Sequence, residues 1–323
     1  MTYSNDVEAI KALVNKYNLL KKEVQKIIIG QEKVVDDVLV SLFGRGHCLL
    51  IGVPGLAKTL LINTISQALG LKYSRIQFTP DLMPSDIIGT EILDENRKFR
   101  FIKGPVFANI ILADEINRTP PKTQSALLEA MQEKKVTVAG LSYALEEPFF
   151  VLATQNPIEQ EGTYPLPEAQ LDRFMFNIWL DYPSFNDEVN IVNETTSDKE
   201  INIDVVLSAE EIIYFQSLIR KIPVVENVIQ FAVSLVSKTR PTAANTHPLA
   251  HKYIAWGAGP RASQYLIIGA KCHAALNGKY APDIEDVKKV AALVLRHRIV
   301  RNYKAEADAV SVDTIIEELL KTV

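Results

Sequence analysis

The chain has little cysteine, tryptophan, methionine or histidine, with 2, 2, 4 and 5 copies among its 323 residues. Cys48 and Cys272 are far apart in sequence and give neither a disulfide framework nor the Cys and His spacing of a zinc site. Cys48 lies in an apolar run, where we expect it to pack as a small hydrophobic side chain. His247 and His251 are four residues apart, but Pro248 between them argues against the helix that would pair them on a metal.

Long hydrophobic runs and an excess of one charge are missing as well. No stretch approaches the length of a membrane-spanning helix, and residues 1–22 are polar and charged, without the apolar core of a signal peptide. Lysine and arginine number 35 against 39 acidic residues, for a net charge of −4. This balance favours neither nucleic acid nor an anionic membrane as a general partner. We therefore expect a cytoplasmic globular protein, and its length suggests two domains.

The chain does have a glycine-rich turn between an apolar strand pattern and an apolar helix pattern. The strand pattern covers residues 48–51, and the helix pattern covers residues 60–69. The turn comprises Gly52, Val53, Pro54, Gly55, Leu56, Ala57, Lys58 and Thr59. A strand, a glycine-rich turn, Lys-Thr and a helix in this order are typical of a phosphate-binding loop, whereas a simple chain reversal would not need the Lys-Thr pair.

Each part of this loop has a physical role in holding a polyphosphate. Backbone N–H groups and the helix N-terminus face the phosphates, Lys58 adds a mobile positive charge, and the Thr59 hydroxyl can ligate Mg²⁺. Leu60 follows directly and is counted with the nucleotide-binding residues. Ala57 stands where the general G-x-x-x-x-G-K-[ST] pattern has a second glycine. We expect Ala57 to hold a negative φ, with its methyl group close to the phosphates.

A second apolar run, residues 110–113, ends in two adjacent carboxylates. Such a run fits a central parallel strand that is buried on both faces, and ligands lie beyond the carboxyl ends of strands in open α/β sheets. Asp114 is therefore a candidate Mg²⁺ ligand, and Glu115 is a candidate base that polarises the attacking water. The alternative is a solvated Asp-Glu pair at a strand end, which the phosphate loop disfavours.

Two weaker signals lie elsewhere in the first half of the chain. Residues 149–154 predict another buried strand, which delivers Asn156 to its carboxyl end. The Asn156 amide is a candidate for holding the attacking water, although Asn-Pro is also a routine turn. Ile29 and Gly30 belong to an apolar-Gly-Gln turn upstream of the loop, which either lines an adenine pocket or only connects two helices.

The remaining patterns divide the chain into domains. Residues 81–104 form an excursion with turn signals and an alternating run, and residues 135–145 alternate around a central glycine, so each predicts a hairpin insert. After a polar stretch, only helical patterns follow. We therefore expect an αβα domain with a parallel sheet over residues 1–185, a linker over 186–206 and an all-α domain over 207–323.

Arg261 lies in the first turn of a predicted helix that begins at Gly259-Pro260. A cation there faces the positive end of the helix dipole, which costs a few tenths to about 1 kcal/mol. A bound phosphate would offset that cost. An exposed, solvated arginine is the alternative.

In this order and spacing, the motifs resemble those of AAA+ ATPases, and within that superfamily those of the MoxR family. The resemblance runs over nearly the whole chain. Its segments are residues 52–59, 101–109, 113–118, 153–157, 162–174 and 259–262. MoxR-like sequences carry alanine before the loop lysine, so Ala57 does not argue against nucleotide binding.

The resemblance implies an AAA+ sheet domain followed by an all-α lid, with ATP and Mg²⁺ as cofactors. Lys58 and Thr59 match Walker A. Asp114 and Glu115 match the Walker B pair, and Asn156 matches the sensor 1 position.

The resemblance also implies roles for three arginines. Arg261 matches the sensor 2 arginine, which reaches the nucleotide from the lid of the same subunit. Arg173 matches the arginine finger, which such proteins insert into the site of the neighbouring subunit. Arg118 is a rival for that role, and the sequence does not separate the two. The inserts at 81–104 and 135–145 match those that face the central pore or a partner in this clade.

The function implied is that of a ring-forming ATPase, expected to be a hexamer, that remodels or activates a protein client. MoxR proteins often act on clients with von Willebrand factor A domains. A nucleic-acid motor of the same clade is the alternative, supported only by a small basic cluster at Arg296, His297, Arg298 and Arg301. A phosphate-loop kinase for a small molecule is disfavoured by the Asp-Glu pair and the helical lid.

Overall fold

The computed structural model describes residues 3, 5–93, 95, 97–158, 162–198, 201–243 and 246–322. The chain divides into two compact units. Unit 1 comprises Met1–Asn15, Pro167–Asn177 and Phe215–Val323, and unit 2 comprises Lys16–Leu166 and Ile178–Tyr214.

The helices are, in chain order, α1 (Asp6–Gln25), α2 (Glu32–Phe43), α3 (Lys58–Ala68), α4 (Pro84–Ile88), α5 (Pro121–Glu133), α6 (Glu168–Leu171), α7 (Phe185–Thr195), α8 (Ala209–Lys221), α9 (Glu226–Lys238), α10 (Pro248–Tyr253), α11 (Pro260–Leu276), α12 (Ile284–Leu295), α13 (Tyr303–Ala307) and α14 (Val312–Lys321). The strands are β1 (Cys48–Ile51), β2 (Tyr73–Gln77), β3 (Gly89–Leu93), β4 (Phe99–Lys103), β5 (Ile110–Asp114), β6 (Lys135–Val138), β7 (Leu141–Ala144), β8 (Phe150–Gln155), β9 (Phe176–Trp179), β10 (Ile254–Trp256) and β11 (Val300–Arg301). The division between the units passes through α1, α8 and β9.

The main sheet has the strand order β2-β5-β8-β1-β9. The pairs β2–β5, β5–β8 and β1–β8 are parallel. Strand β5 is buried through Ala113, and β8 through Thr154, as expected for central strands covered on both faces. The register sets Ile51 opposite Gln155 and Gln77 opposite Asp114, so the carboxyl ends of four strands meet at one edge. This confirms the predicted fold class.

Both predicted inserts are hairpins in unit 2. Strands β3 and β4 pair antiparallel within residues 81–104, and β6 pairs with β7 within residues 135–145. The two hairpins touch where the rings of Phe101 and Tyr143 stack with centroids 4.2 Å apart. Gly104 is required at the base of the first hairpin, because a Cβ there would collide with the backbone of Ile87.

The stretch expected to be a linker, residues 186–206, includes most of helix α7. The hydroxyl of Ser184 accepts a hydrogen bond from the Asp187 N–H at 3.2 Å and caps this helix. A serine at this position is a favourable N-cap, because its side-chain oxygen accepts from an N–H that has no partner within the helix.

Unit 1 is mainly helical, with α11 packed against α9 and α12, and α12 packed against α14. Two expectations for this region were wrong. The region is not purely helical, because β10 and β11 form a short antiparallel ladder in which Ile254 pairs with Arg301. A helix, α10, begins at Pro248 and is capped by His247, because proline in the first turn replaces an N–H that has no helical partner.

Two predicted absences concern metals and membranes. Among the described residues, no group of three or more His, Cys, Asp and Glu side chains is placed to hold a metal ion. In the same part of the chain, no helix combines the length and apolar character needed to cross a membrane.

His47 lies just before β1 and joins two elements of unit 2. Its Nε2 is 3.2 Å from the Met131 carbonyl oxygen, and its Nδ1 accepts a hydrogen bond from the Val151 N–H at 3.0 Å. These partners fit a neutral ring. Burial lowers the pKa of His47 to about 4, more than the hydrogen bond to Met131 raises it.

This pKa predicts acid sensitivity. An exposed histidine in the unfolded chain titrates near its ordinary value of about 6.5, so between about pH 6.5 and 4 the unfolded chain binds more protons than the folded one. The stability that comes from neutral His47 is complete above this window and is lost as pH falls through it, by up to about 3 kcal/mol. Urea unfolding from pH 7.5 to 4.5 checks this. We expect His47→Gln to be less stable at pH 7.5 and to show a shallower loss, and an unchanged slope would assign the acid sensitivity to other groups.

Candidate nucleotide-binding site

The predicted phosphate loop connects β1 to α3 in unit 2. The Nζ of Lys58 donates a hydrogen bond to the Gly52 carbonyl oxygen at 2.5 Å, which folds the side chain back over the loop. Burial lowers the pKa of Lys58, while Asp114 and Glu115 act in the opposite direction. The Lys58 side chain is therefore already directed at the loop, and two nearby carboxylates favour its charged form, before a phosphate binds.

Ala57 adopts a left-handed conformation with φ 54° and ψ 24°, so the expectation of a negative φ was wrong. The physical reason is the shape of the loop. A left-handed residue beside helical ones turns successive N–H groups toward one concave side, which makes an anion-binding nest. For an L-residue this conformation costs roughly 1–2 kcal/mol.

Ala57→Gly removes this strain and tests it. We expect the free energy of unfolding of the variant to be unchanged or higher by up to about 1 kcal/mol. The backbone strain that glycine removes should equal or exceed the stability lost because glycine makes the unfolded chain more flexible. The matched control is Ala126→Gly in the middle of α5, which should lose roughly 1 kcal/mol of stability. Equal losses in both variants would show that Ala57 carries no strain.

Asp114 ends β5 with both carboxylate oxygens in use. Its Oδ1 accepts a hydrogen bond from the Thr154 hydroxyl at 2.7 Å, and its Oδ2 accepts from the Arg75 guanidinium at 2.6 and 3.2 Å. The Thr154 hydroxyl in turn accepts from the Glu115 N–H at 2.9 Å. A single threonine on β8 therefore orients both predicted acidic residues.

Glu115 turns away from the strand with φ 56°, another left-handed residue. Its Oε2 accepts hydrogen bonds from the Gln77 amide and the Arg118 guanidinium, both at 3.0 Å. Gln77 also accepts from Arg75 at 2.6 Å. A continuous polar chain thus connects the two carboxylates through β2.

Sequence reasoning missed Arg75, Gln77 and Thr154. Arg75 and Gln77 share one face of β2, because side chains two residues apart on a strand point the same way. Their importance depends on β2 lying beside β5, which no local pattern reveals. Thr154 lies one position before the end of β8, and that position was the only available signal.

The loop and the acidic residues line one open cleft of about 430 Å³ in unit 2. Its lining comprises Pro54, Gly55, Leu56, Ala57, Lys58, Thr59, Leu60, Asp114, Glu115 and Asn156. Asn156 is buried, and its Oδ1 accepts a hydrogen bond from the Ile158 N–H at 3.1 Å. Gly52 and Val53 lie at the start of the loop and are not part of this lining.

A second cleft of unit 2, of about 390 Å³, shares Ala57 and Leu60 with the first. Its lining is Lys26, Ile27, Ile28, Ile29, Gln31, Ala57, Leu60, Ile191, Glu194, Thr195, Ser197 and Ile201. The Gln31 amide donates to the Leu56 carbonyl oxygen at 3.2 Å and so joins this turn to the phosphate loop. Gly30 has φ 74° and lies against Asp187. A mainly apolar cleft beside a phosphate loop suits a planar base such as adenine.

The donor set of the first cleft fits Mg²⁺. Thr59 and Asp114 both line it, and hydroxyl and carboxylate oxygens are ligands that this small, hard cation prefers. Two protein oxygens are enough, because Mg²⁺ usually keeps several waters and takes phosphate oxygens as its other ligands.

Arg173 and Arg261 belong to unit 1. The Arg261 guanidinium lies 3.0 Å from the Asp172 carboxylate. Arg173 is half-buried, and among the described residues its guanidinium has no hydrogen-bond or ion-pair partner. Arg118, the rival, belongs to unit 2 and is engaged by Glu115 of its own chain.

Comparisons with known proteins agree with this geometry. The model of the ATPase family associated with various cellular activities (AAA) matches residues 47–176, and that of the AAA lid domain matches residues 247–319. Chaperone MoxR1 of Mycobacterium tuberculosis is 44% identical over 93% of this chain and 80% of its own length. Protein MoxR of Methylorubrum extorquens is 28% identical over 86% of each chain.

Solved structures give the same result. A crystal structure from Cytophaga hutchinsonii superposes with a TM-score of 0.92 at 44% identity, covering 98% of this chain and 96% of that one. The fold, the phosphate loop, the acidic pair and these similarities agree. The chain belongs to the MoxR family of AAA+ ATPases, and hydrolysis of ATP is its activity.

Proposed function

We propose that this ATPase depends on Mg²⁺, assembles into a ring expected to be hexameric, and uses hydrolysis to remodel or activate protein clients. The observation that carries the proposal is the cleft in which Lys58 and Thr59 face Asp114, Glu115 and Asn156. We place the protein in the cytoplasm, because its substrate ATP is supplied there.

Each residue of the cleft has a proposed task. The loop N–H groups and Lys58 hold the phosphates, while Thr59 and Asp114 would hold Mg²⁺, which supplies charge neutralisation at the phosphates. Glu115 accepts the proton of the attacking water, and Asn156 orients that water. Gln77 and Arg118 both bond Oε2 of Glu115, so we assign the proton transfer to its second oxygen, Oε1.

We propose that two arginines complete the chemistry. Arg261, in the first turn of α11, contacts the nucleotide of its own subunit, and Arg173 reaches the nucleotide of a neighbour. Support comes from the family motifs and from the Arg173 guanidinium, which has no partner among the described residues. Arg118 is less suited to act in a neighbour, because Glu115 of its own chain already pairs with it at 3.0 Å.

The client surface is proposed to lie on the two hairpin inserts. Phe99 is 76% exposed and Leu141 is 57% exposed, although large apolar side chains of this kind are usually buried. The Phe101–Tyr143 stack joins the hairpins into one surface. By family resemblance we expect the client to carry a von Willebrand factor A domain, whose metal-ion adhesion site is a plausible handle.

Capture of clients by Glu115→Gln tests this function. The variant should bind Mg·ATP without turning it over and so hold its client. We expect a protein with a von Willebrand factor A domain to copurify in the presence of ATP and not in its absence. The control is Lys58→Ala/Glu115→Gln, which should bind neither nucleotide nor client. Recovery of nucleic acid in place of protein would contradict the proposal.

The nucleic-acid alternative loses its only supporting feature. The basic cluster near the end of α12 does not form a cationic surface, because Arg298 is buried with its side chain 2% exposed. Arg296 pairs with Asp313 at 2.8 Å, and Arg301 donates to the Val310 carbonyl oxygen at 2.9 Å. These cations are used inside unit 1, so we expect no salt-dependent affinity for DNA or RNA.

A further inference from the structure

The buried guanidinium of Arg298 makes a set of hydrogen bonds that packing alone does not explain. Its Nε donates to the Asp172 carboxylate at 2.7 Å. Its Nη2 donates to the carbonyl oxygens of Asp172 and Phe174 at 2.8 and 2.7 Å. These two carbonyls flank Arg173 in sequence. Burying a cation is costly unless it is paired and hydrogen-bonded. Nη1 of Arg298 bonds the Val294 carbonyl oxygen and the His297 ring, while Nε and Nη2 are directed at residues 172–174.

Tyr265 holds the same segment from α11. Its hydroxyl donates to the Arg173 carbonyl oxygen at 3.3 Å, and its ring lies 5.1 Å from the Arg298 guanidinium carbon, within cation–π range. Three consecutive carbonyl oxygens, of residues 172–174, are therefore bonded by two side chains. The backbone of Arg173 is fixed on both sides, while its own guanidinium has no partner in the part of the chain that the structure describes.

We propose that Asp172, with Arg298 and Tyr265, is a positioning residue that holds Arg173 in the geometry needed to act on a neighbouring subunit's nucleotide. This inference rests on the proposed trans role of Arg173. An arginine that acts across an interface must be presented at a fixed place, because a displacement of about 1 Å can cost about 10²-fold in rate. The Asp172 carboxylate supplies the charge that keeps Arg298 in place.

The same carboxylate has a second partner, and a test must distinguish the effect of losing that partner from the effect on Arg173. Asp172 Oδ2 lies 3.0 Å from Arg261, which is proposed to contact the nucleotide of its own subunit. A change that freed Arg261 would alter nucleotide affinity and hence KM. A change that displaced Arg173 would lower kcat, because Arg173 is proposed to act in the transition state.

The test measures kcat and KM for ATP, fluorescent-ADP affinity and the thermal midpoint of unfolding. Asp172→Asn should lower kcat by about 10²-fold, whatever change in KM follows from its pair with Arg261. Tyr265→Phe should lower kcat by several-fold, with KM and ADP affinity within about threefold of the unmodified protein. In an Arg173→Ala background, neither change should lower kcat further. The matched control is Asp313→Asn, which breaks the 2.8 Å pair with Arg296 elsewhere in unit 1 and should leave kcat unchanged.

The outcomes separate the possible failures. If Asp172→Asn does not fold, because Arg298 is left without its counterion, Tyr265→Phe carries the test alone. Normal kcat in the folded variants, an effect confined to KM, or losses that multiply with Arg173→Ala would each overturn the positioning role. If Arg173→Ala itself turns over normally, the proposed trans role fails and the positioning role fails with it.

Discussion

Glu115→Gln should lower the turnover of ATP by roughly 10²–10⁴-fold, the usual contribution of a general base, and leave nucleotide affinity nearly unchanged. Glutamine keeps the size of the side chain and its capacity to bond Arg118, but its amide cannot accept a proton from water. The phosphate loop is untouched, so binding should persist. Phosphate release under steady state and the affinity for a fluorescent ATP analogue measure the two quantities.

The structure offers a matched control for this change. Glu129→Gln removes a carboxylate from an exposed position on α5 and alters net charge equally. It should hydrolyse ATP at the normal rate. If Glu115→Gln kept more than about a tenth of normal turnover, Glu115 would not be the base and the water would be activated in another way.

Arg173→Ala should lower the turnover of ATP as much as Glu115→Gln or more, because an arginine finger typically raises the rate by roughly 10³–10⁵-fold. Nucleotide binding should be intact, since Arg173 is proposed to act on the nucleotide of a neighbour. The substitution should cost little stability, because the guanidinium has no partner among the described residues. The same two assays, together with the thermal midpoint, check these statements.

Arg118→Ala is the companion variant that separates the two arginines. Arg118 bonds Glu115 in its own chain at 3.0 Å, so its removal frees the base and leaves the neighbour's site complete. We expect its turnover to stay within about tenfold of normal. Near-normal turnover in Arg173→Ala, with a large loss in Arg118→Ala, would transfer the trans role to Arg118.

The sequence was most informative where one periodic pattern determined one element. The apolar runs at residues 48–51 and 110–113 predicted buried parallel strands, and the turn between β1 and α3 predicted the phosphate loop. Alternation around glycine predicted the hairpin of residues 135–145. Each of these signals lies within a few residues of the feature that it predicts, so no knowledge of distant contacts was needed.

The errors arose where geometry depends on context. The left-handed φ of Ala57 is set by the loop as a whole, against the preference of alanine. A strand of two or three residues such as β11 is too short to show alternation, and its pairing with β10 depends on residues about 45 positions away. No local pattern indicated that Arg298 is buried, because several of its partners are backbone oxygens of a segment more than a hundred residues earlier.

The central claim is that each active site is completed by the subunit beside it. Mixing Glu115→Gln with Arg173→Ala, both inactive alone, tests this most directly once the subunits have exchanged. An Arg173→Ala subunit keeps Glu115, and a neighbouring Glu115→Gln subunit keeps Arg173. The site that these two subunits share therefore has both residues. We predict recovery of about a quarter of normal turnover in an equal mixture. A mixture as inactive as its two components would contradict a trans-acting Arg173.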